Sequence, residues 1–286
     1  MSAVSQIRID ANGPFDRDAA LGTLTAHAVE GLHRIDPDTA ELTRWIEVHG
    51  AAQLITLRLD PGGVTMSTAT NDTSISDNIV VRVRHWFDLD TDLTPVNAHL
   101  GKDSVFTEQI KSRPGIRITR FHTPFEAAIL TVLGQQVSLA AGRLFAARLV
   151  AAYGTLPTKG GRESGLRCFP SPAVLSAVPT EKLRAAVGLT GNRARTVHEV
   201  ASIFVEAGHP ERLPERTELH AVHGVGPWTL DYLAIRASTD TDAFPATDAV
   251  LRRTIAASAP DADASRIASW CPYRSYAASR LWAGAL

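Results

Sequence analysis

Residues 219–253 read LHAVHGVGPWTLDYLAIRASTDTDAFPATDAVLRR, and this stretch decides the fold. Leu219 and Val222 give an apolar edge before a turn made of His223-Gly224-Val225-Gly226-Pro227. Glycine accepts positive φ without steric cost, and proline suits the first turn of a new helix. Trp228, Tyr232, Leu233, Ala234 and Ile235 then recur at helical spacing. A loop with Pro245 follows, and Thr247-Asp248 opens another helix over 249–257. The spacing predicts helix, tight turn, helix, loop, and an acidic residue at a helix start.

Such a turn can hold a phosphate. Gly224 and Gly226 leave their N–H groups unobstructed, and the following helix N-terminus adds partial positive charge. A chain can therefore grip a nucleic-acid backbone without a basic patch. Taken singly, each feature also fits ordinary architecture: a glycine-capped corner between helices, or an Asp that caps a helix.

Taken together, the pattern resembles the helix-hairpin-helix DNA glycosylase superfamily, and within it the branch that excises alkylated purines. The resemblance rests on Gly224-Val225-Gly226-Pro227-Trp228-Thr229, on Asp248 some twenty residues on, and on Trp270-Cys271-Pro272-Tyr273-Arg274-Ser275-Tyr276-Ala277. Phe125-Glu126 followed by Ile129 to Ser138 also looks like a family segment. It is carried mainly by residues 120–286.

Composition is consistent with this. The chain has 286 residues, 44% of them hydrophobic, enough for two or three lobes with a sizeable core. It contains no run of about 20 apolar residues, so no membrane span is expected. The first residues lack the apolar core of a signal peptide. Two cysteines, Cys168 and Cys271, are too few for a disulfide framework or a four-cysteine cluster, which points to a reducing cytoplasm. A net charge of −1 does not advertise a nucleic-acid partner.

The order of elements predicts an α+β protein. An N-terminal lobe, residues 1–98, combines an antiparallel sheet with helices. Strands are expected at 6–10, 43–48, 54–59 and 64–68, the last two joined by Asp60-Pro61-Gly62-Gly63. Helices are expected over 16–32 and 75–87. A mostly helical, two-lobed core follows. One lobe, 123–240, carries the hairpin; the other is assembled from 99–122 and 241–286. Residues 154–167 read as a Gly- and Pro-bearing linker. A helix over 192–207 has Arg193 and Arg195 near its start, facing either phosphate or solvent.

The resemblance implies the chemistry. Asp248 would stabilise positive charge as the C1′–N bond of an extruded nucleotide breaks. Trp228, Tyr232, Trp282 and Tyr276 would form the base pocket, since aromatic faces attract electron-poor, cationic bases. Gly224, Val225, Gly226, Thr229, Gln135, Gln136, Arg193 and Arg195 would contact DNA. Bifunctional relatives carry a lysine nucleophile where this chain has Trp228. Water would then be the nucleophile, and the abasic product would be left uncut. No cofactor is required; a Na+ or K+ ion would sit on the backbone carbonyls of His220, Val222 and Val225. The expected partner is double-stranded DNA containing damaged bases, with no membrane, and the chain is expected to act as a monomer. Three departures bear on substrate range: Gln136 stands at the position of an apolar wedge, and Ala249 and Thr23 stand at aromatic positions. Two other readings remain: a non-catalytic hairpin module that binds DNA or senses damage, and a glycosylase for mismatched, deaminated or oxidised bases.

Overall fold

The computed structural model describes residues 4–259 and 263–285. Strands β1 (Ser5–Asp10), β2 (His33–Asp36), β3 (Glu41–Val48), β4 (Ala51–Asp60) and β5 (Gly63–Thr68) form one antiparallel sheet in the order β1-β5-β4-β3-β2. Strand β4 shows why the sheet has one dry face. Ile55, Leu57 and Leu59 alternate inward, and helices α1 (Arg17–Ala26) and α2 (Thr73–Trp86) contribute Ala20, Ile79 and Val83 to the same cluster. The Asp60–Gly63 turn forms as expected, with Asp60 opposite Gly63.

The helical remainder falls into two clusters. Helix α5 (Pro124–Gly134) is buried on nearly every side. It packs on α6 (Leu139–Tyr153), α10 (Gly191–Ala207) and α12 (Pro227–Ala237), with α8 (Pro172–Ala177) and α9 (Thr180–Val187) behind them. Ile129, Leu133, Val197, Val200 and Leu233 lie at its centre. The other cluster joins α3 (Thr94–Leu100) and α4 (Ser104–Ser112) to α13 (Ala249–Ser258), α14 (Ala264–Ser269) and α15 (Arg274–Ala283). Phe106, Trp270, Tyr276 and Leu281 fill it.

Two expectations are corrected. The helix expected over 16–32 ends at Ala26; the chain turns at Gly31, φ +78°, and feeds β2, which the sequence pattern did not reveal. The stretch 99–122, expected within a helical lobe, holds the end of α3 and then α4, whose N-cap Asp103 accepts from Val105 N–H. The supposed linker 154–167 is anchored. It contains a one-turn helix, α7 (Gly161–Ser164), and Trp45 Nε1 donates to Ser164 Oγ at 2.9 Å while Leu166 and Cys168 bury against the same indole.

A buried ion pair joins the sheet lobe to helix α5 of the helical core. Arg44 of β3 makes two hydrogen bonds, of 3.0 and 2.7 Å, to the Glu126 carboxylate of α5, with both residues almost fully buried. His33 Nε2 lies 3.0 Å from the same guanidinium, and the Trp86 ring faces it. Glu126 is therefore a structural residue.

Candidate active site

The hairpin is built by α11 (Arg216–Ala221), the turn, and α12. Gly224 takes φ +90°, and a Cβ there would stand 3.0 Å from Thr196 Oγ1 of α10. That hydroxyl lies 2.8 Å from the His223 carbonyl and fixes the turn from below. Pro227 occupies the first turn of α12, and no side chain caps that N-terminus. Its first N–H groups thus keep the unsatisfied donors that bind anions.

Gln135 and Thr229 are tied to the turn. Gln135 Nε2 donates to Gly224 O at 3.0 Å and to Thr229 Oγ1 at 2.8 Å, while Arg193 donates to the Gln135 carbonyl. Thr229 is buried. These side chains bind the α5–α6 loop to the hairpin. Next to them Gln136 is exposed and held at φ +54°, projecting from that loop. Arg195 is exposed and pairs with Asn192.

Asp248 caps α13. Its Oδ1 accepts from Val250 and Leu251 N–H at 3.1 and 3.0 Å, and from Trp282 Nε1 at 3.1 Å. Its Oδ2 accepts from Trp228 Nε1 at 3.1 Å. Four donors from three helices thus aim one carboxylate, which is 9% exposed. It lines a cleft of about 460 Å³, within the range of small-ligand pockets.

The cleft wall is aromatic. Trp228 and Tyr232 stack with centroids 5.3 Å apart at 22°, and Trp282 meets Tyr232 edge-on at 5.6 Å. Burial pushes the Tyr232 phenol above its ordinary pKa. Thr23, His27, Phe121 and Arg143 also line the cleft. Among the described lining residues there is no lysine.

Tyr276 is the clearest miss. It is 2% exposed, its hydroxyl donates to Asp88 Oδ2 at 2.9 Å, and it does not line the cleft. Burial pushes its phenol up. It braces the sheet lobe against α15. Conversely, the sequence reading passed over His27, Arg143, Arg236 and Arg253, which do line the cleft. Arg236 was within reach of it, lying eight residues after Trp228 and four after Tyr232 on the same helical face. Burial drives His27 down to a pKa of about 3, with Arg236 and Arg143 adding repulsion. It therefore stands neutral at physiological pH.

The carbonyls of His220 and Val225 accept no hydrogen bond among the described residues; that of Val222 accepts only from Val225 N–H, at 3.1 Å. Free carbonyls at a turn suit a hard monovalent cation. No group of three or more His, Cys, Asp or Glu side chains among the described residues could hold a metal ion. No described helix is long and apolar enough to cross a membrane.

Comparison with known proteins follows the same division of the chain. Residues 6–122 match the model of the AlkA N-terminal domain, and residues 129–270 match that of the HhH-GPD superfamily base excision DNA repair protein. The chain is 32% identical over 289 residues to the probable bifunctional transcriptional activator/DNA repair enzyme AlkA of Mycobacterium tuberculosis. That alignment covers 96% of this chain and 56% of the relative, so the chain spans about half the relative's length. It is 26% identical to DNA-3-methyladenine glycosylase 2 of Escherichia coli, over 94% of each. Among solved structures, the 3-methyladenine DNA-glycosylase from Archaeoglobus fulgidus shares the fold, with a TM-score of 0.80 at 16% identity over 96% of this chain and 97% of that one. The hairpin, the capped aspartate and the two matched models lead to one conclusion: the chain belongs to the HhH-GPD superfamily of base excision DNA repair proteins.

Proposed function

We propose that the chain is a monofunctional DNA glycosylase that hydrolyses the N-glycosidic bond of alkylated purines of the 3-methyladenine and 7-methylguanine type. The observation that carries this reading is the Asp248 carboxylate, held by two indoles at the wall of an aromatic cleft beside the hairpin. Double-stranded DNA would lie across the hairpin, with phosphates on the amide of Gly226 and the open N-terminus of α12. The damaged nucleotide leaves the stack, at a cost of a few kcal/mol. Gln136, exposed on the neighbouring loop, fills the vacated place with polar contacts rather than apolar ones.

As the C1′–N bond lengthens, positive charge grows on the sugar. A carboxylate about 4 Å away supplies on the order of 4 kcal/mol at an effective dielectric near 20, roughly a thousandfold in rate. An alkylated purine already carries positive charge, so it leaves without a general acid, and Trp228 and Tyr232 favour it by stacking and cation–π contact. Water adds to C1′. Among the described residues the lining contains no lysine to form a Schiff base, which supports release of an intact abasic site. Where a Na+ or K+ ion binds, the carbonyls of His220, Val222 and Val225 would hold it and stiffen the turn. The chain would work as a monomer in the cytoplasm, where its two free cysteines stay reduced.

The test is mass spectrometry of bases freed from methylated DNA. The wild type releases methylated purines; Asp248→Asn loses about a thousandfold in rate and still binds DNA. A fully active Asp248→Asn variant removes Asp248 from the mechanism. A borohydride-trapped adduct with abasic DNA overturns the monofunctional reading.

A further inference from the structure

Helix α12 presents Trp228, Tyr232 and Arg236 at intervals of four residues, one stripe roughly 12 Å long at 1.5 Å per residue. Asp248 is hydrogen-bonded to the first member of the stripe, and Arg236 ends it. All three side chains line the cleft.

The guanidinium of Arg236 is an anomaly. The residue is 5% exposed and makes no ion pair among the described residues. Its Nε has no hydrogen-bond partner. Its neighbours are the Phe121 ring at 5.4 Å and the Tyr232 ring at 6.0 Å, with the Tyr232 phenol as its polar contact. Burial pushes it below its ordinary pKa, and Arg120 adds like-charge repulsion. The four other buried arginines behave differently. Arg44 and Arg120 bind carboxylates, and Arg117 and Arg280 bind carbonyl oxygens. Stacking on two rings offsets only part of the cost of burying a charge, and a buried charge normally finds a partner. A cavity of about 20 Å³, room for one water, also touches Arg236 and His122. One water there leaves most of the five N–H donors of the fork unspent.

We propose that Arg236 donates hydrogen bonds to the extruded base and takes up the negative charge that a neutral purine acquires as it leaves. This rests on the glycosylase reading above. With its sugar at the Asp248 end of the stripe, an extruded purine can turn its N7/C6 edge towards Arg236. On a 6-oxopurine that edge carries the O6 and N7 acceptors, which an arginine fork fits in bidentate fashion. The departing base keeps the electron pair of the C1′–N9 bond. The oxygen of water bonds to C1′; the proton released ends on the base when a neutral purine leaves as an anion, and in solvent when a cationic alkylpurine leaves neutral. A cationic alkylpurine departs neutral and asks little of Arg236. A neutral purine departs as an anion, and a guanidinium facing O6 and N7 lowers that barrier. Hypoxanthine offers both acceptors; 7-methylguanine is cationic and has lost N7. Guanine carries the same edge, but its full pairing makes it costlier to extrude than a mispaired base.

The experiment measures single-turnover release of hypoxanthine and of 7-methylguanine from matched duplexes, for wild type, Arg236→Met and Arg236→Lys. Wild type releases both bases. In Arg236→Met the ratio of hypoxanthine to 7-methylguanine release falls about a hundredfold, the usual loss when one oxyanion donor is removed. Arg236→Lys, which keeps the charge and loses the fork, falls between. The ratio comes from one preparation, so partial misfolding does not change it. Equal losses on both bases assign Arg236 to packing and overturn the inference. So does a wild type that frees 7-methylguanine but no hypoxanthine, which leaves the alkylpurine reading intact. Release of neither base overturns both.

Discussion

Asp248 illustrates how one side chain serves both fold and site. Its carboxylate caps α13 through two backbone N–H groups and is aimed by two indole N–H groups. These duties separate by substitution. Asparagine caps a helix about as well as aspartate, whereas alanine loses about 1 kcal/mol. Asp248→Ala should therefore melt lower than wild type by the equivalent of about 1 kcal/mol, and Asp248→Asn should melt close to it. Equal melting of the two variants in a thermal scan would show that the cap contributes nothing. Legibility at this scale divided by reach. The sequence located Asp248 because a cap and a turn are local. It misplaced Tyr276 because that hydroxyl is claimed by Asp88, 188 residues away in the chain. Arg236 was missed for another reason: an arginine on a mostly apolar helix face reads as solvated, and only packing shows that it is enclosed.

Within the hairpin, conformation and space agree on glycine at position 224. A left-handed backbone disfavours a side chain, and a Cβ would also crowd Thr196. Gly224→Ala should cost about 1–3 kcal/mol of local strain. It should also weaken DNA binding, read by fluorescence anisotropy, because the turn is tied to Gln135 through the Gly224 carbonyl. Unchanged affinity would place the DNA elsewhere. A long periodic helix such as α10 was legible in the sequence, since its apolar face repeats over more than four turns. Short ones were not. Helix α3 has seven residues, starts beside a proline and lacks a side-chain cap, so nothing local announces it. Strand β2 spans four residues and exists because β3 offers it an edge.

For the whole molecule, acid acts first on histidines near the junction of the sheet lobe and the helical core. Burial holds His27 at about 3 and pushes His33 and His122 well below the usual value, with nearby arginines adding to it. The unfolded chain binds protons on these side chains from about pH 6.5 downward, and the folded one does not. Their contribution is complete above that pH and fades as pH falls towards 3. Urea midpoints should drop between pH 7.5 and 5, before the carboxylates titrate; a flat profile would contradict their burial. Below that range Asp103, held at about 2 chiefly by Arg266, adds a later loss. The same junction holds the Arg44–Glu126 pair, in which each partner comes from a different lobe. Removing one member of such a pair strands a charge in a dry interior, at about 3–5 kcal/mol. The two halves have thus given up the freedom to be shuffled independently. A chimera that grafts a foreign sheet lobe onto this core inherits a debt at Glu126 unless the graft brings its own arginine to the place of Arg44.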